Sequence, residues 1–446
     1  MKDITFWKNF IKKIKKELKV LDFEMVAIES NSGLTRFTQS YIHQNVAEKN
    51  LDLTFKVINK DRISTVKLNT LDESEVKKTV KRAIELSEIM PVLDYHYCLL
   101  EPQIYKIKSQ FSEKTENFTP LDRAQKIVQL VERIGQKGYE SSGALETGIE
   151  TLIVANSEGV FAFDRKTTVD FNTVITKNNS TAYHSFVSSE INHLNIKRIC
   201  DELLNTAFRN LNQVEIQPGN YTVILSPEAV AEILSETGYA GFDGKLIMEK
   251  KSFISGKQGK KLFPESITIS DDPFDKLTMP IPFDFVGYPR GKVDLIKNGV
   301  IVDGVYDHLT ALKYNKNCTG NTLPPESASM GAASFNIAMK QGEDQLEDMI
   351  LNTEKGVYIN RFHYVNMLNP MSIELTGMTK DGTFLIENGQ LTKAIKNMRF
   401  NTSVVDLLKS VDMISRERQT KPGFVGPVVA PYIRTNHFIF SSKTNF

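Results

Sequence analysis

The stretch Pro218-Gly219-Asn220-Tyr221-Thr222-Val223-Ile224-Leu225-Ser226-Pro227-Glu228 places one strand directly before one helix. Its segment from Tyr221 to Leu225 is rich in aromatic and aliphatic residues, which predicts a strand. Ser226 is a good N-cap, and Pro227 suits the first helical position with an acid beside it. The Pro-Gly pair before the strand is typical of a turn or loop that interrupts regular secondary structure. We therefore expect a second domain to begin here, at residue 216.

The residues before this stretch alternate between helical and strand-like patterns. Apolar residues at helical spacing predict helices over residues 6–21, 72–90, 120–138 and 196–211. Period-2 and β-branched runs predict strands over residues 25–30, 51–58, 63–68, 151–155, 160–163 and 169–176. The sequence thus predicts an N-terminal α/β domain, residues 1–215, with a mixed sheet and helices.

Beyond Gly256 the chain consists of short apolar runs separated by turn residues. Lys297-Asn298-Gly299, Lys380-Asp381-Gly382 and Glu387-Asn388-Gly389 are typical of hairpins, because Asn-Gly and Asp-Gly accept positive φ angles. A mostly antiparallel β domain is therefore expected over residues 216–446. The length of 446 residues agrees with two domains, since single cores stop growing near about 250–300 residues. The predicted class is α+β.

Composition and charge exclude several classes of protein. The 55 basic and 54 acidic residues give a net charge of +1, which does not favour a nucleic-acid binder. No run of about 18 apolar residues occurs, so we expect neither a membrane-spanning helix nor a membrane partner. Lysines interrupt the apolar positions of the first segment, which argues against a signal peptide. Three scattered cysteines, Cys98, Cys200 and Cys318, give no disulfide framework, and a cytoplasmic location is expected.

Local catalytic motifs are absent from the sequence. It contains no GxxxxGK[ST], GxGxxG, GxSxG or HExxH, and none of its seven histidines lies within five residues of another. Lone histidines are more often surface or core residues than metal ligands. Five lysines between residues 250 and 261 are suited to an anionic ligand, but a solvated loop is the simpler interpretation. Asp271-Asp272 precedes Pro273, which favours a turn over an acid–base pair.

Several segments together resemble the TldD/PmbA family. The strand-to-helix stretch at 218–227 is one of them. Ser252-Phe253-Ile254-Ser255-Gly256-Lys257-Gln258-Gly259 resembles the family's Ser-x-Phe-x-Gly-x-x-Gly, with one further residue before Gly256. Leu295 to Val300 and Gly382 to Gly389 continue the match. Each segment is short, but their order and spacing cover nearly the whole chain.

The resemblance implies a zinc site that this chain has lost. The catalytic TldD subunit of the family carries HExxxH on the helix after the 218–227-type strand, and a cysteine near the C-terminus is the third ligand. Counting back from the Gly256 stretch places the motif at Ser235-Glu236-Thr237-Gly238-Tyr239-Ala240. Ser235 and Ala240 stand at the histidine positions, and only Glu236 remains. The region of the third ligand, 422–431, contains no cysteine.

The resemblance further implies a TldE-like, non-catalytic subunit of a peptidase that cleaves unfolded peptides or peptide precursors inside an enclosed chamber. Its partner would be an HExxxH-bearing, TldD-like chain that holds the zinc, or a second copy of this chain. The peptide would contact residues around the glycine-rich continuation of the motif, namely Gly241, Phe242, Asp243, Gly244 and Ser252.

Two other functions stay open at this point. One is an independent peptidase with an unrecognised site, although no local motif supports it. The other is a regulator of DNA gyrase, as an older family name suggests. The near-neutral charge and the lack of a DNA-reading motif give little support to direct action on DNA.

Overall fold

The computed structural model describes residues 1–18 and 21–444. The predicted continuation of the first helix through residues 19 and 20 lies outside the described residues. In chain order the elements of the first half are α1 (Ile4–Leu18), β1 (Asp22–Thr38), β2 (Tyr41–Asn59), β3 (Arg62–Leu68), α2 (Glu73–Ile89), α3 (Glu113–Glu116), α4 (Pro120–Gly135), β4 (Glu140–Asn156), β5 (Phe161–Lys177), β6 (Ser180–Ser188) and α5 (Ile196–Arg209).

The first sheet has the strand order β3-β2-β1-β4-β5-β6. All its pairings are antiparallel, so the predicted mixed sheet is wrong in this detail. β1 and β4 pair antiparallel although residues 39–139 lie between them in the sequence. The other four pairs are each joined by a short turn, and a tight turn can join only antiparallel neighbours. One of these turns, Gln39-Ser40, has left-handed φ angles of 46° and 65° without a glycine, which the sequence pattern did not indicate.

The helices cover the first sheet in two groups. Trp7 of α1 and Val76 of α2 are buried with Phe55 in one apolar cluster. Ile127 of α4 and Leu203 of α5 are buried in a second cluster at the other end of the long strands. Each helix therefore contributes one apolar face, as its periodicity predicts.

The second half contains β7 (Gly219–Leu225), α6 (Pro227–Glu236), a π-helical turn (Thr237–Gly241), α7 (Gly244–Met248), β8 (Ile269–Asp271), β9 (Val293–Lys297), β10 (Val300–Ile301), α8 (His308–Tyr314), β11 (Ile337–Met339), α9 (Leu346–Leu351), β12 (Lys355–Asn369), β13 (Glu374–Glu387), β14 (Gln390–Ala394), β15 (Met398–Ser403), α10 (Val404–Lys409), β16 (Val411–Lys421) and β17 (Val428–Lys443). The strands form one large sheet, mostly antiparallel, with parallel pairs β7–β12 and β11–β17. The α+β class is confirmed. Among residues 1–18 and 21–444, no helix is long and apolar enough to cross a membrane.

β7 lies inside this sheet and carries α6 onto it. It runs parallel to β12 and antiparallel to β17, and its residues Val223 and Leu225 are fully buried. α6 packs against the same two strands, with Val230, Ile233 and Leu234 in the largest apolar cluster. The start of α6 is thereby fixed by a strand with neighbours on both sides.

Two of the three predicted hairpins are confirmed. Asn298-Gly299 joins β9 to β10, and Asn388-Gly389 joins β13 to β14. Asp381-Gly382 is instead a bend within β13, where the register with β12 shifts and the φ angles are 54° and 122°. The same positive-φ preference that makes a tight turn also permits an irregularity inside a strand.

The turn predicted at Asp271-Asp272 begins at Asp272, which accepts the backbone N–H of Phe274 on Oδ1 at 2.9 Å and that of Asp275 on its carbonyl at 3.4 Å. Asp271 is the last residue of β8 and is fully buried. Its two carboxylate oxygens accept hydrogen bonds from Arg290 Nη2 at 2.8 and 2.9 Å, and Asn321 Nδ2 donates to one of them at 2.6 Å. A buried carboxylate needs such partners, and all of them are distant in the sequence.

Candidate functional site

The N-terminus of α6 has the cap that the sequence predicts. Ser226 Oγ accepts hydrogen bonds from the backbone N–H groups of Glu228 and Ala229, at 3.1 and 3.4 Å. The helix runs to Glu236 and continues as the π-helical turn Thr237–Gly241. The wider turn of a π-helix brings residues about five apart onto one side, and such turns are frequent at functional sites.

The helix end contacts the loop between β16 and β17. The backbone N–H of Phe424 donates to Ser235 Oγ at 2.7 Å. The Phe424 ring meets the Tyr239 ring edge-on, with 5.3 Å between centroids. The side chain of Phe424 is otherwise 74% exposed. The structure therefore brings together the motif helix and the 422–431 region, the two places where the resemblance implies zinc ligands.

The residues at these positions do not fit a zinc ion. Ser235 uses its hydroxyl oxygen as an acceptor for a backbone N–H, and Ala240 contributes a buried methyl group. Within residues 1–18 and 21–444, no three His, Cys, Asp or Glu side chains are arranged to hold a metal. Catalytic zinc usually takes three such protein ligands.

Three carboxylates lie one turn apart along α6, at Glu228, Glu232 and Glu236. Burial raises the pKa of Glu236, and burial followed by repulsion from Glu236 and Glu228 raises the pKa of Glu232. Raised carboxyl pKa values mark acids that lack a compensating cation. Glu236 thus survives as an acid at the motif position, while Ser235 and Ala240 stand where the resemblance implies zinc ligands.

The predicted peptide-contacting residues are buried, and several of their polar groups are used inside the fold. Ser252 Oγ donates to the carbonyl of Gly241 at 2.5 Å. Phe242 is fully buried, 5.5 Å from the Phe253 ring. The backbone N–H of Gly244 donates to the carbonyl of Val305 at 2.8 Å. These contacts hold the loop after α6 in place, and a direct contact with peptide stays a prediction.

Asp243 is the one acid among the five predicted peptide-contacting residues, and its pKa is shifted. It caps α7, and its Oδ1 accepts the backbone N–H groups of Lys245 at 3.0 Å and Ala332 at 2.9 Å. Only 1% of it is exposed, and burial raises its pKa to about 6. The two backbone hydrogen bonds oppose this shift without cancelling it.

A cleft that no sequence motif indicates separates the two sheets. Its larger part has a volume of about 510 Å³ and lies between β6 and the segments 276–279 and 419–421. A neighbouring part of about 330 Å³ also extends to the start of α6. The two parts share four lining residues, which are His184, Arg198, Gln419 and Lys421.

A buried ion pair crosses this cleft. Lys421 Nζ lies 3.1 Å from Glu228 Oε2, with side-chain exposures of 9% and 19%. The hydroxyl of Ser185, on β6, contacts both oxygens of the Glu228 carboxylate at 2.7 Å. Glu228 is in the first turn of α6, where the helix dipole also favours a negative charge. The pair therefore links β6, α6 and the end of β16.

β6 is an edge strand whose free side faces the cleft. Asn210 Nδ2 donates to the carbonyl of Thr181, and Lys421 Nζ contacts the carbonyl of Ser185 at 3.4 Å. Backbone groups of alternate residues point to the same side of an antiparallel strand. Tyr183 and Val187 therefore direct their N–H and C=O groups away from β5. No strand within residues 1–18 and 21–444 pairs with this side of β6.

His184 lies where the two parts of the cleft meet. Burial, with the nearby charges of Lys421 and Arg198, lowers its pKa to about 3. Its ring is therefore neutral at pH 7 and adds no further positive charge beside Lys421.

Comparison with known proteins identifies the second half of the chain. The PmbA/TldA metallopeptidase C-terminal domain matches residues 218–442. The chain belongs to the PmbA/TldD family. The matched range contains α6, the π-helical turn and the 422–431 loop, so both halves of the altered motif site lie in the family's C-terminal domain.

Relatives at low identity cover between about two thirds and nearly all of the chain. The metalloprotease MJ0996 of Methanocaldococcus jannaschii is 20% identical over 431 residues, which are 93% of this chain and 94% of that protein. A metalloprotease TldD homolog of Buchnera aphidicola is 23% identical over 301 residues, 64% of this chain and 62% of that protein. The structure of TldE from Thermococcus kodakarensis superposes with a TM-score of 0.89 at 21% identity, covering 98% of this chain and all of that one.

For this PmbA/TldD protein, sequence reasoning missed the residues that bridge the cleft. Ser185 and Lys421 are 236 positions apart, and neither lies in a recognisable motif. Glu228 is visible only as an acid in the first turn of a helix. An acid in the first turn of a helix after a buried strand only weakly indicates an ion pair. No residue close to Glu228 in the sequence identifies its partner, Lys421.

Proposed function

We propose that this chain is a TldE-like, non-catalytic subunit of a TldD/TldE-type peptidase, in which it binds extended peptide and helps to enclose the site of cleavage. The observation that carries the proposal is the contact between Ser235 and Phe424. A hydrogen bond from a backbone N–H to a side-chain hydroxyl joins the two segments in which the resemblance implies zinc ligands, and neither segment offers a histidine or a cysteine.

The cleft supports the peptide-binding part of this proposal. Its wall contains the free edge of β6, and an extended peptide can pair with such an edge through backbone hydrogen bonds. Backbone pairing accepts many sequences, which suits unfolded peptides as substrates. The cleft lies between the two sheets, and its volume of about 510 Å³ suits an extended segment rather than a folded domain.

Catalysis then depends on a partner. Hydrolysis at a zinc site needs a metal-bound water and a base, and this chain supplies at most the carboxylate of Glu236. We propose an HExxxH-bearing, TldD-like subunit as the partner and as the holder of zinc. A dimer of two copies of this chain remains the alternative assembly, and it would lack activity. A cytoplasmic location, which three free cysteines favour, belongs to the same proposal.

The experiment compares the purified chain alone with a mixture of the chain and a TldD-like subunit. An unstructured peptide and a folded protein of similar length serve as substrates, and zinc content is measured for each preparation after desalting. We expect no zinc and no cleavage for the chain alone, and cleavage of the unstructured peptide by the mixture.

The matched control is a partner in which the glutamate of HExxxH is replaced by glutamine. It should still assemble with this chain but lose cleavage. Cleavage by the chain alone, together with about one tightly held zinc per chain, would overturn the proposal, because a formed catalytic site holds one metal.

A further inference from the structure

Arg123 is a buried cation whose protein partners are all neutral. It lies in the first turn of α4 and is 3% exposed. Its Nε donates to Thr35 Oγ1 at 3.1 Å, and its Nη1 donates to Thr147 Oγ1 at 3.0 Å and to the carbonyl of Phe118 at 3.2 Å. These three contacts hold the guanidinium against the first sheet.

The remaining nitrogen, Nη2, has no acceptor within residues 1–18 and 21–444, and no carboxylate there pairs with Arg123. Arginine is almost never fully buried without such a pairing. Burial lowers the pKa of Arg123 and outweighs the opposing effects of Asp122 and Glu146. The positive charge is therefore held in place but not compensated.

The residues of the first sheet beneath the guanidinium are small, and Gly33 lies directly under it. A Cβ atom on Gly33 would lie 2.3 Å from Nη2 and 2.6 Å from Cζ, so any larger residue there would displace the guanidinium from this position. Gly33 is in register with Ala47 on β2 and with Thr147 on β4, which gives a row of small residues across three strands.

A cavity of about 160 Å³ lies over this row and is lined by Gly33, Ala47, Thr147 and Arg123. Its volume is about five times a water molecule's share of the liquid, which is enough room for a small ion with part of its hydration shell. The one carboxylate among its lining residues, Glu116, is engaged by Arg165 Nη2 at 2.5 Å.

We propose that Arg123 holds a small oxyanion, a phosphate or a carboxylate group, in this cavity. The two N–H groups of Nη2 donate to the anion through charge-assisted hydrogen bonds. The N-terminal end of α4, in whose first turn Arg123 lies, adds positive potential from the helix dipole. This site belongs to the first domain and does not rest on the proposed peptidase role.

The test places a carboxylate on the protein itself. Ala47 is exposed, lines the cavity and is in register with Gly33, so Ala47→Glu brings a counter-ion to Arg123 without disturbing the core. Ala47→Gln is the matched control of similar size and no charge. Binding of inorganic phosphate is measured by equilibrium dialysis and by the shift in Tm, at constant ionic strength set with chloride.

We expect saturable phosphate binding by the native chain and by Ala47→Gln, and binding weaker by about tenfold or more in Ala47→Glu. Ala47→Glu should also have a higher Tm than Ala47→Gln in chloride alone, because it neutralises the buried cation. Acetate as a competitor distinguishes the two sources: competition identifies a carboxylate site, and its failure identifies a site for tetrahedral oxyanions.

Two results would overturn the inference. One is a native chain whose Tm and dialysis show no saturable phosphate binding above the chloride background. The other is equal phosphate binding by Ala47→Glu and Ala47→Gln. Since both variants alter an exposed side chain, neither result depends on a variant of Arg123 that fails to fold.

Discussion

Phe424 donates its backbone N–H to the hydroxyl oxygen of Ser235 across 2.7 Å, although the two residues are 189 positions apart. The bond ties the end of α6 to the loop between β16 and β17. In a family whose members are named as metalloproteases, a neutral hydrogen bond thus occupies the place where the resemblance implies a metal.

Replacement of Ser235 by alanine should loosen this loop. The lost hydrogen bond is worth about 0.5–1.5 kcal/mol, and we expect the lower end because Phe424 is exposed to solvent. Urea unfolding measures the stability, and limited proteolysis within 422–427 measures the loop. Ser235→Thr keeps the acceptor and serves as the control; equal proteolysis of both variants would contradict the assignment.

Removal of Lys421 alone should lower the free energy of unfolding more than removal of both charges of the Glu228–Lys421 ion pair. Lys421→Met leaves the Glu228 carboxylate largely buried with only Ser185 as a partner, and we expect a loss of about 3 kcal/mol, the low end for buried pairs. Lys421→Met combined with Glu228→Gln should lose less. Urea unfolding of the native chain, both single variants and the double variant completes the cycle; additive losses would show that the two residues are not coupled.

Asp243 should make stability fall as the pH rises. Its pKa is about 6 in the folded chain, above the usual 3.8, so the folded state binds the proton more tightly than the unfolded state does. The stability that protonation contributes is complete below about pH 4 and is lost as the pH rises through about 6. Over that window the loss is at most about 3 kcal/mol, at about 1.4 kcal/mol per pKa unit.

Asp243→Asn keeps an oxygen acceptor for the backbone N–H groups of Lys245 and Ala332 but cannot ionise. We therefore expect the variant to gain stability relative to the native chain between pH 4 and pH 6. Urea unfolding at one-unit intervals from pH 4 to pH 7 measures the difference. Parallel stability profiles for the two proteins would show that Asp243 does not titrate in this range.

Val187→Pro should weaken peptide binding if the free edge of β6 is used. The substitution removes an N–H that points into the cleft and leaves the hydrogen bonds to β5 in place, which is the position where an edge strand tolerates proline. Fluorescence polarisation with a labelled unstructured peptide measures binding. Val187→Thr keeps the N–H and is the control; unchanged affinity in Val187→Pro would exclude pairing along this part of β6.

Much of the fold was predictable because its signals are local. The cap at Ser226, the strand before it and the helices at 73–89 and 120–135 follow from hydrogen bonds and apolar periodicity within a few residues. The long hairpin through Gln39-Ser40 was not predicted, since its turn has no glycine or asparagine. The bend at Asp381-Gly382 shows the opposite case, in which a turn-forming pair lies within a strand.

Part of the candidate site, too, was predictable from the sequence, and part was not. The sequence by itself determined that residues 235, 240 and 422–431 provide no histidine or cysteine, because the chemistry of a side chain does not depend on the fold. Only the tertiary structure decided that Ser235 meets Phe424, that Lys421 pairs with Glu228 across the cleft, and that Arg123 is buried without a carboxylate. A hydrogen bond or an ion pair depends on distance and burial, and for residues this far apart both are set by how the sheets and helices pack.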